Sequence, residues 1–145
     1  MPKDDETDKY FDGYKLLLSD SEWRERLDDR TFGILRRGKT ERAHTGKRFI
    51  SSKKGVFVCA GCGLYLFRSQ AKFDSGTGWP SFYESFSEQN IVYRNDDSGF
   101  CSRVEVLCAR CEGHLGHIFN DGPRPTGLRY CINSWAIIFK PVKKK

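Results

Sequence analysis

Two short stretches, Cys59-Ala60-Gly61-Cys62-Gly63 and Cys108-Ala109-Arg110-Cys111-Glu112-Gly113, constrain this chain more than any other feature. Each sets two thiols two residues apart behind a run of strand formers, Val56-Phe57-Val58 in the first case and Val104-Glu105-Val106-Leu107 in the second. Glycine follows closely in both, which lets the backbone turn tightly and bring its N–H groups toward the sulfurs. Two such knuckles, about 45 residues apart, have the spacing of one tetrahedral four-cysteine zinc site. The ion expected on Cys59, Cys62, Cys108 and Cys111 has four sulfur ligands and no open position, so its role is to hold the fold.

A chain of 145 residues is one domain's worth, and small enough to gain from such a staple. With 11 Phe, 6 Tyr and 3 Trp the core is aromatic, which favours a pleated sheet over a helical bundle. Residues 1–18 read as a flexible N-terminal extension and 19–145 as a single domain. Within the latter, Ser21-Glu22-Trp23-Arg24-Glu25-Arg26-Leu27 has the pattern of a short amphipathic helix. Ser19 or Ser21 serves as its cap, and Trp23 and Leu27 share one face. Gly38 to Gly46 is a polar loop in which His44 is expected to be solvated.

The formal charge of +6 comes from basic residues scattered along the chain, with one run, Lys143-Lys144-Lys145, at its end. A nucleic-acid surface wants clustered charge along one face, so no nucleic-acid partner is expected. No run of apolar residues is long enough to span a bilayer, and the acidic start Asp4-Asp5-Glu6 is opposite in character to a secretory or transit signal. The expected setting is a reducing cytoplasm, where paired cysteines bind metal more often than they form disulfides, and the expected state is a monomer.

Of the two cysteines outside the knuckles, Cys131 lies in Arg129-Tyr130-Cys131-Ile132-Asn133-Ser134, at the start of a final strand running through Ile137-Ile138-Phe139. A free thiol in that position either fills the core or acts as a nucleophile with His114, His117 and Asn133 as protonation partners. Spacing alone leaves both readings open.

A longer set of motifs bears on that choice. Ser75-Gly76-Thr77-Gly78-Trp79-Pro80-Ser81-Phe82, Cys111-Glu112-Gly113-His114-Leu115-Gly116-His117-Ile118-Phe119, Asp121-Gly122-Pro123 and Arg129 to Ser134 together resemble the zinc-containing methionine-R-sulfoxide reductases, the MsrB family, from about Gly38 to Val142. The resemblance implies a mainly β fold, two antiparallel sheets packed around the site with the four-cysteine zinc at one end and short helices at the N-terminus. It also implies reduction of methionine-R-sulfoxide, free or in proteins. Cys131 would attack the sulfoxide sulfur, His114 and His117 would flank the oxygen and supply its proton, and Asn133 would orient that network. Trp79 would cradle the substrate methyl beside Phe119. Asp121 would be an outer partner of the site, and Arg129 a positive neighbour whose charge favours the Cys131 thiolate.

The chemistry agrees with those roles, because a sulfoxide oxygen leaves only if an acid protonates it, and histidine is suited to that near neutral pH. The product on Cys131 is a sulfenic acid, which a second thiol must reduce. Many members of the family carry a resolving cysteine where this chain has Thr77. Two routes follow: Cys101 resolves and thioredoxin recycles the disulfide, or an external thiol such as glutathione or a reduced redox protein acts on Cys131 directly. The rival reading, a non-catalytic zinc-held β-domain serving as a binding or chaperone module, has no use for a thiol beside two histidines.

Overall fold

Three short helices precede the strands in the computed structural model, which describes residues 6–42, 46, 54–97, 99 and 102–141; His44 and Cys101 lie outside the described residues. The helices are α1 (Glu6–Lys9), α2 (Asp20–Arg26) and α3 (Asp29–Arg37). Ser19 caps α2 with a reciprocal pair: Glu22 N–H donates to Ser19 Oγ at 3.2 Å and Ser19 N–H to Glu22 Oε1 at 2.8 Å. The expected helix is therefore present, and its Trp23 is fully buried. Sequence reading did not foresee α3, whose mid-helix Gly33 weakens the pattern. Asp28 caps it by accepting from Thr31 N–H at 2.8 Å, and Gly38 ends it in the left-handed conformation at φ 70°.

The strands are β1 (Gly55–Cys59), β2 (Tyr65–Arg68), β3 (Lys72–Phe73), β4 (Ser81–Phe82), β5 (Ile91–Asp96), β6 (Arg103–Cys108), β7 (His114–Phe119), β8 (Arg129–Ile132) and β9 (Ile137–Pro141). They form two antiparallel sheets, one ordered β2-β1-β9 and one ordered β3-β4-β8-β7-β6-β5. The mainly β, two-sheet architecture expected from the sequence is what the chain adopts.

Aromatic rings join the sheets. Phe67 of β2 stacks on Phe82 of β4 at 4.3 Å between centroids, and Phe57 of β1 meets Phe82 edge-on at 5.1 Å. Tyr130 of β8 meets Phe67 at 5.3 Å. Because strand residues alternate between faces, seating Tyr130 in this core turns its neighbours Arg129 and Cys131 to the other side of the sheet.

Within the segment set apart as an extension, residues 8–18 run along the domain. Fully buried Asn90 holds this segment: its amide donates to Lys9 O and Tyr65 O, both at 2.7 Å, and its Oδ1 accepts from Phe11 N–H at 2.9 Å. Leu16 N–H donates to Arg110 O at 2.8 Å, and Leu16 and Leu18 pack against the core. No described helix is long and apolar enough to cross a membrane.

Candidate active site

Both knuckles sit where strands end, Cys59 closing β1 and Cys108 closing β6, and their four sulfurs all lie within 4.8 Å of one another. The nearest pairs are Cys59–Cys111 at 3.6 Å and Cys62–Cys108 at 3.4 Å. A tetrahedral ion with metal–sulfur bonds of about 2.3 Å would set its ligands about 3.8 Å apart, so the cluster has the size to hold one metal ion. Gly61 N–H donates to Cys59 Sγ at 3.3 Å, as expected of a knuckle. Hydrogen bonds from Cys108 and Cys111 hold the Cys62 thiol well below its ordinary range, so the cluster already favours thiolate at that ligand.

The backbone following the second cysteine of each pair turns left-handed, at Gly63 (φ 85°) in one knuckle and Glu112 (φ 62°) in the other. Glu112 carries the strain of a side chain in that region, and its carboxylate takes Lys15 Nζ at 2.6 Å. Helices α2 and α3 cover the staple: Leu35 and Trp23 press on Gly61, and Arg36 donates to Cys111 O at 2.8 Å. Arg110 ties the two knuckles together by donating to Cys62 O at 2.5 Å and to Asp8 at 2.7 Å.

Away from the knuckle that ends β6, the register of the six-stranded sheet decides what meets Cys131. Cys131 of β8 lies directly opposite His117 of β7 on one side and Ser81 of β4 on the other, and His117 in turn lies opposite Glu105 of β6. Two residues along, Arg129 pairs with Phe119, on the same face. Close approach of β7 and β8 depends on Gly116, where an added Cβ would fall 2.0 Å from Cys131 O.

The histidines are each held by a carboxylate. His114 Nδ1 is 2.7 Å from Glu105 Oε2, and His117 Nε2 is 2.7 Å from Asp96 Oδ2, which also takes Arg103 at 3.4 Å. The two rings meet edge-on at 5.5 Å. His114 Nε2 is buried with no partner among the described residues, a polar atom turned into the protein with nothing to bond. Burial holds the His114 imidazole below its ordinary value against the pull of Glu105, so its resting form near neutral pH is uncharged.

Cys131 is 5% exposed, and burial pushes its thiol above the ordinary value. Hydrogen bonds from Thr77 and Ser81 and the charge of Arg129 pull the other way without overcoming it. Arg129 itself is spread between Asp121, with bonds of 2.8 and 3.2 Å, and the Phe119 ring, 4.3 Å away. The expectation of a resting thiolate favoured by Arg129 therefore meets a desolvation effect that sequence cannot show.

Trp79, half-buried, donates its indole N–H to Glu41 O at 3.2 Å. Trp79, Phe119, His117 and Cys131 border one notch of ≈ 30 Å³, closed further by Thr40 and Asn133. Asn133 reaches backbone and not imidazole: its Oδ1 accepts from Glu41 N–H at 2.9 Å and its amide donates to Leu115 O at 3.0 Å, beside His114. The structure thus brings together Cys131, His114, His117, Trp79, Phe119, Arg129 and Asn133. Sequence reading missed Glu41, Asp96, Glu105 and Ser81. An acid at alternate strand positions, as with Glu105 between Val104 and Val106, was the available signal for one of them.

A thiol with flanking hydroxyls, carboxylate-anchored imidazoles and an aromatic wall border a small notch on a mainly β fold whose four-cysteine cluster could hold a metal. The sequence profile of the SelR domain matches residues 27–141. Relatives named peptide methionine sulfoxide reductase MsrB include those of Leptospira interrogans, 48% identical with 88% of this chain and 97% of that protein covered, and Thiobacillus denitrificans, 52% identical over 85% and 93%. The Methanosarcina barkeri protein of the same name is 49% identical over 84% and 86%. Among solved structures, the crystal structure of the Mis18 'Yippee-like' domain has a TM-score of 0.48 and 18% identity, covering 63% of this chain and 100% of that one. The chain belongs to the SelR-domain family, the MsrB peptide methionine sulfoxide reductases.

Proposed function

We propose that this chain reduces methionine-R-sulfoxide, as the free amino acid derivative or within polypeptides, with Cys131 as nucleophile and zinc as the ion on its four knuckle cysteines. The observation that carries this reading is the pairing of Cys131 with His117 directly across β8 and β7, beside the notch bordered by Trp79 and Phe119.

The substrate methyl enters the notch against Trp79 and Phe119, and the sulfoxide oxygen lies toward the imidazoles, where the unpartnered His114 Nε2 awaits a polar atom. The Cys131 thiol passes its proton to an imidazole and its sulfur bonds to the sulfoxide sulfur, while the imidazolium so formed, steadied by Asp96 or Glu105, protonates the oxygen as the sulfur–oxygen bond breaks. Transfer of that oxygen to Cys131, with cleavage of the sulfur–sulfur bond, leaves methionine and a sulfenic acid, so the substrate sulfur is reduced by two electrons and the cysteine sulfur oxidised by two. Two reducing equivalents from an external thiol, a thioredoxin-type protein or glutathione, return Cys131 to the thiol and release water. The Thr77 and Ser81 hydroxyls beside the sulfur favour its anionic form. Chirality follows from the fixed placing of the methyl wall on one side and the imidazoles on the other.

The test is an assay on the separated R and S epimers of N-acetylmethionine sulfoxide, with dithiothreitol and then thioredoxin as donors. Turnover confined to the R epimer and abolished by Cys131→Ser is expected. Activity retained by Cys131→Ser would falsify the assignment of the nucleophile. Mass spectrometry after one turnover is expected to find sulfenic acid or a mixed disulfide at Cys131; a Cys101–Cys131 disulfide would replace direct recycling by an internal route.

A further inference from the structure

The notch beside Cys131, at ≈ 30 Å³, holds the tip of one side chain and nothing more, so the residues flanking an oxidised methionine in a polypeptide must lie on the surface around it. Next to it is a larger groove of ≈ 470 Å³ between α3, the segment after it and Trp135. Thr40 lines both, so a chain leaving the notch on that side enters the groove directly.

The groove's chemistry is cationic over an aromatic base. The Arg30 guanidinium lies 5.1 Å over the Trp135 ring, and the Lys39 stem lies along α3 at Gly33, where an added Cβ would come within 3.2 Å of Lys39 Cδ. Neither Arg30 nor Lys39 forms an ion pair among the described residues, and both are exposed. Two carboxylates share the groove with them. Glu41 is turned away: its Oε1 takes the Ser134 hydroxyl and Trp135 N–H, and its Oε2 is buried. Asp29 is exposed on the first turn of α3 and is one carboxylate against the two exposed cations Arg30 and Lys39. Arg103, which lines the notch, already faces Asp96, and Arg129 already faces Asp121.

We propose that this groove seats the polypeptide flanking an oxidised methionine and selects flanks bearing carboxylates. The inference rests on the reductase reading and adds a substrate class to it. A glutamate or aspartate beside the sulfoxide meets Arg30 and Lys39 at the cost of little ordering, because Trp135 and the face of α3 already hold both stems.

The experiment compares acetylated pentapeptides with a central methionine-R-sulfoxide flanked by glutamate or by glutamine, reduced with dithiothreitol, alongside N-acetylmethionine sulfoxide. The quantity read is the ratio of kcat/KM for the glutamate and glutamine peptides on one preparation. A ratio of about five at low salt, falling toward one near 0.5 M salt, is expected from two exposed charge pairs. In Arg30→Gln/Lys39→Gln the ratio is expected near one at every salt concentration, whereas Lys54→Gln/Lys72→Gln, which removes the same charge elsewhere, keeps it. A wild-type ratio of one or below, an unchanged ratio in the groove variant, or an equal fall in the remote variant overturns the groove. Should no sulfoxide be reduced at all, the reductase reading itself falls. Reduction without flank preference sinks this inference alone.

Discussion

Gly116→Ala tests whether the spacing of β7 and β8 is what makes Cys131 reactive. The added methyl carbon would lie 2.0 Å from Cys131 O and 3.0 Å from Ile132 Cα, both backbone atoms with no side-chain freedom to yield. Ordinary contact needs about 3.3 Å, so the strands must part by about 1 Å, which stretches the ladder bonds between them out of range. Overpacking of this kind costs about 3 kcal/mol, and a 1 Å displacement of His117 relative to Cys131 costs about 100-fold in rate. Urea denaturation and kcat/KM on N-acetylmethionine-R-sulfoxide measure the two effects separately. Gly99→Ala, where no atom of the described residues lies within 4 Å of the added carbon, is the control and is expected to change neither. If Gly116→Ala stays within about 0.5 kcal/mol and threefold in rate of the parent, the site does not depend on the close strand pair and the register argument is wrong.

Two further outcomes follow from the surroundings of Cys131. Thr77 donates to its sulfur, so Thr77→Cys places a second thiol in reach: one turnover is expected to yield a disulfide between the introduced thiol and Cys131 by mass spectrometry, and persistence of the sulfenic acid counts against the loop geometry. Burial holds the Cys131 thiol above its ordinary value, so its alkylation by iodoacetamide in the substrate-free protein should rise with pH through a midpoint above that of a free thiol, and a midpoint below it would contradict that burial.

The knuckles were readable because a metal site has few spacings and the first cysteine of each pair follows a strand's residues, as Cys59 and Cys108 end β1 and β6. The aromatic composition likewise announced the sheet core, which Phe57, Phe67, Phe82 and Tyr130 fill. What escaped were contacts between parts remote in sequence. Asn90 looks like any loop asparagine until Lys9, Phe11 and Tyr65 meet it, and Glu41 looks solvated until Ser134 and Trp135 turn it inward. The same holds for Asp96: its place at the end of β5 gives no hint that His117, 21 residues later, will be its partner. Thiol reactivity is hard to read for a related reason, since the charge of Arg129 is visible in sequence and the desolvation of Cys131 is not.

The carboxylate behind His114 offers a sharper test of the proton's source than replacing the histidine itself. Burial lowers the His114 imidazole and Glu105 raises it, with burial prevailing. Glu105→Gln keeps a hydrogen-bond acceptor at Nδ1 while removing the charge, so the imidazolium becomes scarcer at every pH above its own titration. A charged bond exceeds a neutral one by about 1 to 1.5 kcal/mol, which corresponds to about 10-fold less imidazolium. The loss of kcat should therefore be near that value at pH 8 and shrink as the pH falls and the imidazole protonates regardless. A mere packing defect would lower the rate by the same factor across the profile. Either that flat loss or an unchanged rate at pH 8 would take His114 out of the proton path and leave the departing oxygen to His117 and Asp96.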